Sequence, residues 1–146
     1  MKYLVDANVL SEPTRRAPDA SVLAWIHRHE RQIVTSAVVV GELEHGILLL
    51  PAGRKRRELE RWFRLGVGKL RILDFTARTA HAWAELLARL KKKGAAMPIK
   101  DSLIAASALE HDLSIATRNI SDFRHAQVQL VNPWEHPGLN VSLEEK

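Results

Sequence analysis

The chain contains no cysteine among its 146 residues, so disulfide bonds and thiolate metal sites are excluded. No apolar run is long enough to span a membrane, and the first residues lack the pattern of a signal peptide. No internal repeat, low-complexity tract or linker divides the sequence. These absences predict one cytoplasmic domain over residues 1–135 without membrane association, followed by a polar, flexible tail over 136–146.

The residues that are present are sufficient for a real core, since 46% of them are hydrophobic. The formal net charge is +5, which is compatible with a polyanionic partner. A bias of this size is common among globular proteins, however, and does not by itself indicate nucleic-acid binding.

Short apolar segments alternate with helical patterns along the chain. Strands are predicted at 3–5, 33–34, 71–73, 113–116 and 128–131. Helices are predicted at about 19–30, from 35 or 36 to 50, and at 54–65, 76–93 and 98–111, with a short turn or helix at 119–123. This alternation predicts an α/β fold in which helices flank a parallel sheet of five short strands.

An acidic residue, Asp6, follows the first strand directly. Open parallel sheets bind their ligands at the carboxyl ends of strands, which makes this carboxylate a candidate site residue. From this stretch alone, a turn residue or the N-cap of the next helix is the better interpretation, because Asp favours both positions.

Two further carboxylates lie on predicted helices beside apolar neighbours. Glu42 follows Val38 and Val39 on its helix, so it either faces inward or lies at an edge with a solvated head. Asp101 lies near a helix N-terminus, which acidic residues favour through the helix dipole, but its face of the helix is small and apolar.

A polar group follows the fourth strand, at the sheet edge that also holds Asp6. It consists of Thr117, Asn119 and Asp122, for which helix capping and a solvated position are the alternative interpretations. Three carboxylates beside such a loop make a plausible oxygen-ligand site for Mg²⁺ or Mn²⁺. A metal in that position can activate water and stabilise a phosphate under in-line attack.

The ordered set of motifs resembles the PIN-domain proteins of the VapC toxin type, and in particular their FitB-like members. The matching segments are LVDANVLSEP, TSAVVVGELEHGI, KDSLIAASALEHDL, ATRNISDF and the late NPW, and they cover nearly the whole chain. The resemblance implies a three-layer α/β/α sandwich with a central, mostly parallel sheet. It also implies a Mg²⁺- or Mn²⁺-dependent endoribonuclease that serves as the toxin of a type II toxin–antitoxin system.

The resemblance assigns roles to individual residues. Asp6 and Asp101 match the principal metal ligands of the family, and Glu42 matches the acidic residue that completes the site. Thr117 resembles a hydroxyl residue that contacts the metal's water or the substrate phosphate. The fourth acidic position of many relatives is Asn119 here, and Asp122 either substitutes for it in part or only caps the loop.

One more residue, Asn8, resembles the small polar residue that orients the first aspartate. The family also implies a homodimer and an antitoxin groove formed by the two helices around Ile47–Leu50, with DNA contacted only through the antitoxin. A binding module is the alternative function: a catalytically weak PIN domain that partners an antitoxin in a DNA-bound repressor. A phosphatase of the haloacid dehalogenase type ranks low, because that family has a second aspartate where this chain has Asn8.

A basic stretch occupies the second of these two helices. Its members are Arg54, Lys55, Arg56, Arg57, Arg61 and Arg64. They form either an RNA-positioning surface or a solvated face paired with Glu58 and Glu60. Trp62 lies among them, and it either packs against the protein or stacks on a base.

Overall fold

Five parallel strands form the central sheet of the computed structural model, which describes residues 1–135. They are β1 (Tyr3–Val5), β2 (Ile33–Ser36), β3 (Arg71–Leu73), β4 (Ser114–Ala116) and β5 (Leu130–Val131). Their order across the sheet is β3-β2-β1-β4-β5, so β1 is the middle strand. Leu4 of β1 lies opposite Val34 of β2 and Ile115 of β4. The predicted parallel sheet is therefore confirmed.

Seven α-helices connect and cover these strands within the described residues. They are α1 (Ala7–Ser11), α2 (Ala20–His29), α3 (Ala37–Leu48), α4 (Arg54–Leu65), α5 (Ala77–Lys93), α6 (Ile99–His111) and α7 (Ile120–Phe123). Short 3-10 turns lie at Glu12–Thr14, Val67–Lys69 and Arg124–Ala126. Within residues 1–135, none of the helices combines the length and the apolar character that crossing a bilayer requires.

Successive side chains of each strand point to opposite faces of the sheet. Tyr3 and Val5 pack on one face against Val22 and Trp25 of α2. Leu4 packs on the other face, in the larger cluster that α3, α5 and α6 complete. Because both faces are covered by helices, the architecture is the expected three-layer α/β/α sandwich.

Local sequence explains where the longer helices begin and end. The Ser36 hydroxyl caps α3 by accepting the Val39 N–H at 3.2 Å. Thr76 and Thr79 form a reciprocal capping box at the start of α5. Gly94 ends α5 in the left-handed conformation, with φ at 67°, which glycine adopts without the steric cost that a Cβ brings. These starts and stops agree with the sequence prediction.

The structure differs from the predicted elements in three places. Strand β2 extends to Ser36 because Thr35 and Ser36 pair with β3, so Thr35 belongs to a strand and caps no helix. Strand β5 is two residues shorter than predicted, since Gln127 adopts a left-handed conformation with φ at 60° before it. Helix α1 was not predicted as a separate element. The tail predicted over 136–146 lies outside the described residues, so the domain boundary stays a prediction.

The direction in which successive strands are added to the sheet changes at the middle strand, β1. From β1 the chain proceeds outward to β2 and β3, and it then returns to place β4 on the other side of β1. The strand order therefore reverses between β1 and β4. In open α/β sheets, the crevice outside the carboxyl ends of the strands at such a point is the usual ligand site. Asp6 and Thr117 directly follow these two strands.

Candidate active site

Asp6 caps helix α1 and also belongs to the candidate active site. Its Oδ1 accepts the Ala7 N–H at 2.8 Å as the N-cap of α1, which confirms the capping interpretation. Its Oδ2 accepts the Thr117 hydroxyl, also at 2.8 Å. The residue is only 3% exposed. The same carboxylate therefore begins a helix and lies at the crevice where the strand order reverses.

The Thr117 hydroxyl joins the ends of β1 and β4. While it donates to Asp6, it accepts the Asn119 N–H at 3.0 Å and lies 3.5 Å from the Asn8 side-chain nitrogen. Asn8 in turn accepts the Arg118 N–H at 3.2 Å. Asn8 thus positions the loop after β4 and acts on Asp6 through Thr117. Thr117 is fully buried and positions Asp6 here, while contact with a metal's water or a phosphate stays a prediction.

An ion pair lies at another corner of the crevice. The Lys100 ammonium of α6 donates to Glu42 Oε2 of α3 at 2.8 Å, and both side chains keep partial contact with solvent. The second oxygen, Glu42 Oε1, is buried and accepts no hydrogen bond from residues 1–135. Since buried polar atoms are normally paired, this oxygen is available for a further electrostatic partner. The structure therefore gives Glu42 an inward oxygen and an outward one.

Burial and mutual repulsion raise the pKa values of the two aspartates. The pKa of Asp101, which is 5% exposed, rises to about 6, first through burial and then through the negative charge of Asp6. Burial also raises the pKa of Asp6, although the hydrogen bonds from Thr117 and Ala7 oppose this. The charge of Glu42 acts in the same upward direction on both aspartates. The three predicted carboxylates thus lie in one electrostatic neighbourhood.

The two alternative fourth-position residues are both exposed. Asn119 precedes α7 in the N-cap position, but its side chain makes no capping hydrogen bond. The negative charge of Asp122 contributes to the raised pKa of Asp101, so the two carboxylates are close enough to repel each other. Electrostatics alone would favour Asp122 as the fourth contributor.

The donor set suits a hard divalent cation. The three principal candidate ligands offer carboxylate oxygens, the kind that Mg²⁺ and Mn²⁺ prefer, and one oxygen of Glu42 has no partner within residues 1–135. Among residues 1–135, no three acidic or histidine side chains form a ready-made metal cluster. Glu42 instead pairs with Lys100, whose ammonium occupies the place of a counter-cation. Asp6, Glu42 and Asp101 therefore fit the group, while their role as ligands stays a prediction.

Two basic residues also lie at the crevice. Lys100 directly precedes Asp101, and this position is the sequence signal for its contact with Glu42. Arg118 follows Thr117 and is exposed, with its guanidinium carbon 5.0 Å from the ring centroid of Trp134. Lys100 places positive charge beside all three carboxylates, and Arg118 lines the same pocket as Glu42.

Comparison with known proteins gives the same fold and a family. Residues 3–128 match the model of the PIN domain. "VapC ribonuclease Y4jK" of Sinorhizobium fredii is 35% identical over 136 residues, covering 90% of this chain and 97% of that protein. "Toxin FitB" of Neisseria gonorrhoeae is 36% identical over 135 residues, with coverage of 90% and 97%.

A solved structure supports this assignment. The crystal structure of FitAcB from Neisseria gonorrhoeae contains a chain that matches with a TM-score of 0.86 at 35% identity, covering 92% of this chain and 99% of that one. The chain therefore belongs to the PIN-domain family, as its motifs predicted.

Proposed function

We propose that this chain is a Mg²⁺- or Mn²⁺-dependent endoribonuclease and the toxin of a toxin–antitoxin pair. The observation that carries the proposal is the position of Asp6 at the crevice where the strand order reverses, together with the mutual electrostatic effects of Asp6, Glu42 and Asp101. Burying carboxylates that repel one another is unfavourable without a cation, and functional sites often accept this cost. Similarity to proteins named VapC ribonuclease and Toxin FitB supports RNA as the substrate.

Each residue of the candidate site has its own role in the proposed reaction. Asp6, Glu42 and Asp101 would hold the cation, and Thr117 would keep Asp6 in place by its 2.8 Å hydrogen bond. Lys100 and Arg118 supply positive charge for the RNA phosphates. When bound, the cation supplies an activated water and stabilises the charge that develops on the phosphate. Glu42 is the best candidate for a general base, because one of its oxygens has no partner within residues 1–135.

An antitoxin would bind at the helical pair α3 and α4. These helices border an apolar groove of about 430 Å³. It is lined by Val40, Glu44, Ile47, Leu48, Glu60, Phe63, Arg64, Val67, Gly68 and Ile72. Burying such a surface against a partner helix would be favourable. In the proposed assembly the chain forms a homodimer and contacts DNA only through the antitoxin. The assembly would act in the cytoplasm, where its RNA substrate is found.

A binding module without significant catalysis is the second candidate. Two features favour it: Asn119 is an amide at the position where the resemblance to the family implies an acidic residue, and Lys100 already pairs with Glu42. In that case the antitoxin complex alone would be the functional form. The two candidates differ in whether the purified chain cleaves RNA.

The test is metal-dependent cleavage by the antitoxin-free protein. Wild type, Asp6→Asn and the control Asp74→Asn are incubated with structured RNA in Mg²⁺ or Mn²⁺ and then in EDTA. Asn is a good N-cap, so Asp6→Asn should keep α1 while removing a charge from the site. Asp74 is exposed and outside the crevice. Cleavage by wild type and Asp74→Asn alone, and only with metal, is expected.

Other outcomes have definite meanings. Cleavage by Asp6→Asn at the wild-type rate would contradict the proposed site. Absence of cleavage by wild type across several RNA pools, with a stable antitoxin complex, would favour the binding module.

A further inference from the structure

A second groove opens directly beside the carboxylates. It has a volume of about 470 Å³, which lies within the range of small-ligand pockets. Glu42 and Asn119 belong both to this groove and to the candidate active site. The groove continues away from them between α1 and α4. A polymer threaded past the carboxylates would therefore pass through it.

Trp62 of α4 forms part of the far wall, beside Leu59. The other tryptophans are engaged elsewhere: Trp25 is 2% exposed in the core, and Trp83 donates its indole N–H to Ser102 at 2.9 Å. Within residues 1–135, no such hydrogen bond holds the Trp62 indole. Its ring is only partly buried, so part of an aromatic surface faces the groove.

The rest of the lining is mixed, because apolar residues such as Ala7, Leu43 and Ile47 lie beside polar and positively charged ones. Asn8, Ser11 and Thr14 line one side, and Arg118 lies at the end near Asn119. Arg118 is exposed, and its guanidinium carbon lies 5.0 Å from the ring centroid of Trp134. An aromatic wall, hydrogen-bonding side chains and one arginine suit a nucleotide: a flat base on one side and a phosphate on the other.

The geometry points to a nucleotide subsite in this groove, where a base of single-stranded RNA next to the cleaved phosphate stacks on Trp62 and Arg118 contacts the neighbouring backbone. The inference rests on the proposed function, because it assumes that RNA reaches Glu42. It adds a residue that selects unpaired RNA, since a base in a duplex cannot leave its partner to stack on the indole.

The test measures binding in EDTA, where metal-dependent cleavage does not interfere. Two fluorescein-labelled RNA hexamers are used, one of random sequence and one abasic with the same ribose-phosphate backbone. The proteins are the wild type, Trp62→Ala, Trp62→Phe, Leu65→Ala and Arg118→Gln, each as the whole 146-residue chain. Leu65 lies on the same helix, is 47% exposed and is not part of the groove, so it controls for loss of an apolar side chain. Circular dichroism melting verifies that each variant is folded.

The expected result is specific to bases. Trp62→Ala should weaken binding of the random hexamer by about tenfold, because stacking on an aromatic ring contributes that order of affinity. Binding of the abasic hexamer should change less than twofold, and Trp62→Phe should retain most of the affinity. Arg118→Gln should weaken both hexamers alike and reduce the salt dependence, as loss of a phosphate contact does.

Three results would overturn the subsite. They are equal effects of Trp62→Ala on both hexamers, no effect on either, and wild-type binding that does not distinguish the random hexamer from the abasic one. Loss of antitoxin binding with unchanged RNA affinity would identify the groove as a protein interface instead. Failure of the proposed function is a separate outcome, in which the wild type binds the random hexamer through Trp62 but does not cleave RNA in Mg²⁺.

Discussion

Replacing Asp101 by asparagine should stabilise the metal-free protein while abolishing RNA cleavage. Asp101 is 5% exposed, and its carboxylate accepts no hydrogen bond from residues 1–135, so its charge is poorly solvated. Burial and the charge of Asp6 raise its pKa from 3.8 to about 6. Each unit of pKa shift corresponds to about 1.4 kcal/mol, so the ionised group lowers the free energy of unfolding by about 3 kcal/mol.

The sign of the pH dependence follows from this raised pKa. Between 3.8 and about 6 the folded state binds more protons at Asp101 than the unfolded state does. The free energy of unfolding therefore falls as the pH rises through this window, and the full destabilisation persists above it. Asp101→Asn should exceed wild type by about 3 kcal/mol at pH 7.5, and the difference should shrink towards zero near pH 4.

Urea denaturation at fixed protein concentration from pH 4 to pH 8, in EDTA, measures this difference. The other ionisable groups are common to both proteins, so their contribution largely cancels on subtraction. Saturating Mg²⁺ should stabilise wild type more than the variant, because only wild type has the full set of carboxylates. A variant that is no more stable than wild type at pH 7.5, or a difference that does not change with pH, would refute the reasoning.

Two further substitutions test the contacts around these carboxylates. Lys100→Gln frees Glu42 from its 2.8 Å ion pair, so the affinity for Mn²⁺, measured by calorimetry, should rise by about threefold or more. The control Lys92→Gln removes an equal charge at an exposed position of α5 and should leave this affinity unchanged. Thr117→Val removes the donor to Asp6 and the acceptor of the Asn119 N–H. It should cost about 1–3 kcal/mol in urea denaturation and slow RNA cleavage, with Thr117→Ser close to wild type. A valine variant as stable and active as wild type would show that the hydroxyl does not position Asp6.

Most of the fold could be predicted because its signals are local. The bounds of β1, α4 and β3 agree with the sequence interpretation, since short apolar runs define the two strands and Gly53 and Gly66 flank α4. Helix α1 has only five residues, too few for a recognisable period. The left-handed Gln127 has no sequence signature either, because such a conformation is typical of glycine or asparagine.

The candidate site could be predicted in its members but not in its contacts. Strand ends in a parallel sheet share an edge, so Asp6 and the loop of Thr117 were expected to be near each other. The sequence did not predict that the Thr117 hydroxyl donates to Asp6, or that Lys100 contacts Glu42, which lies 58 positions away in the chain. Both contacts depend on side-chain orientation. Exposed lysine side chains have too many conformations for sequence to determine one.

The hydrogen bond between Asp6 and Thr117 joins residues 111 positions apart. Because synthesis proceeds from the N-terminus, Asp6 leaves the ribosome long before β4 and the loop that follows it, and β5 comes later still. Until β4 has been made, the middle strand lacks one neighbour, and the Asp6 carboxylate lacks the hydroxyl that fixes it. A nascent chain therefore carries Asp6 without an assembled centre. For the proposed endoribonuclease, this order of assembly would spare the message under translation until most of the sheet has formed.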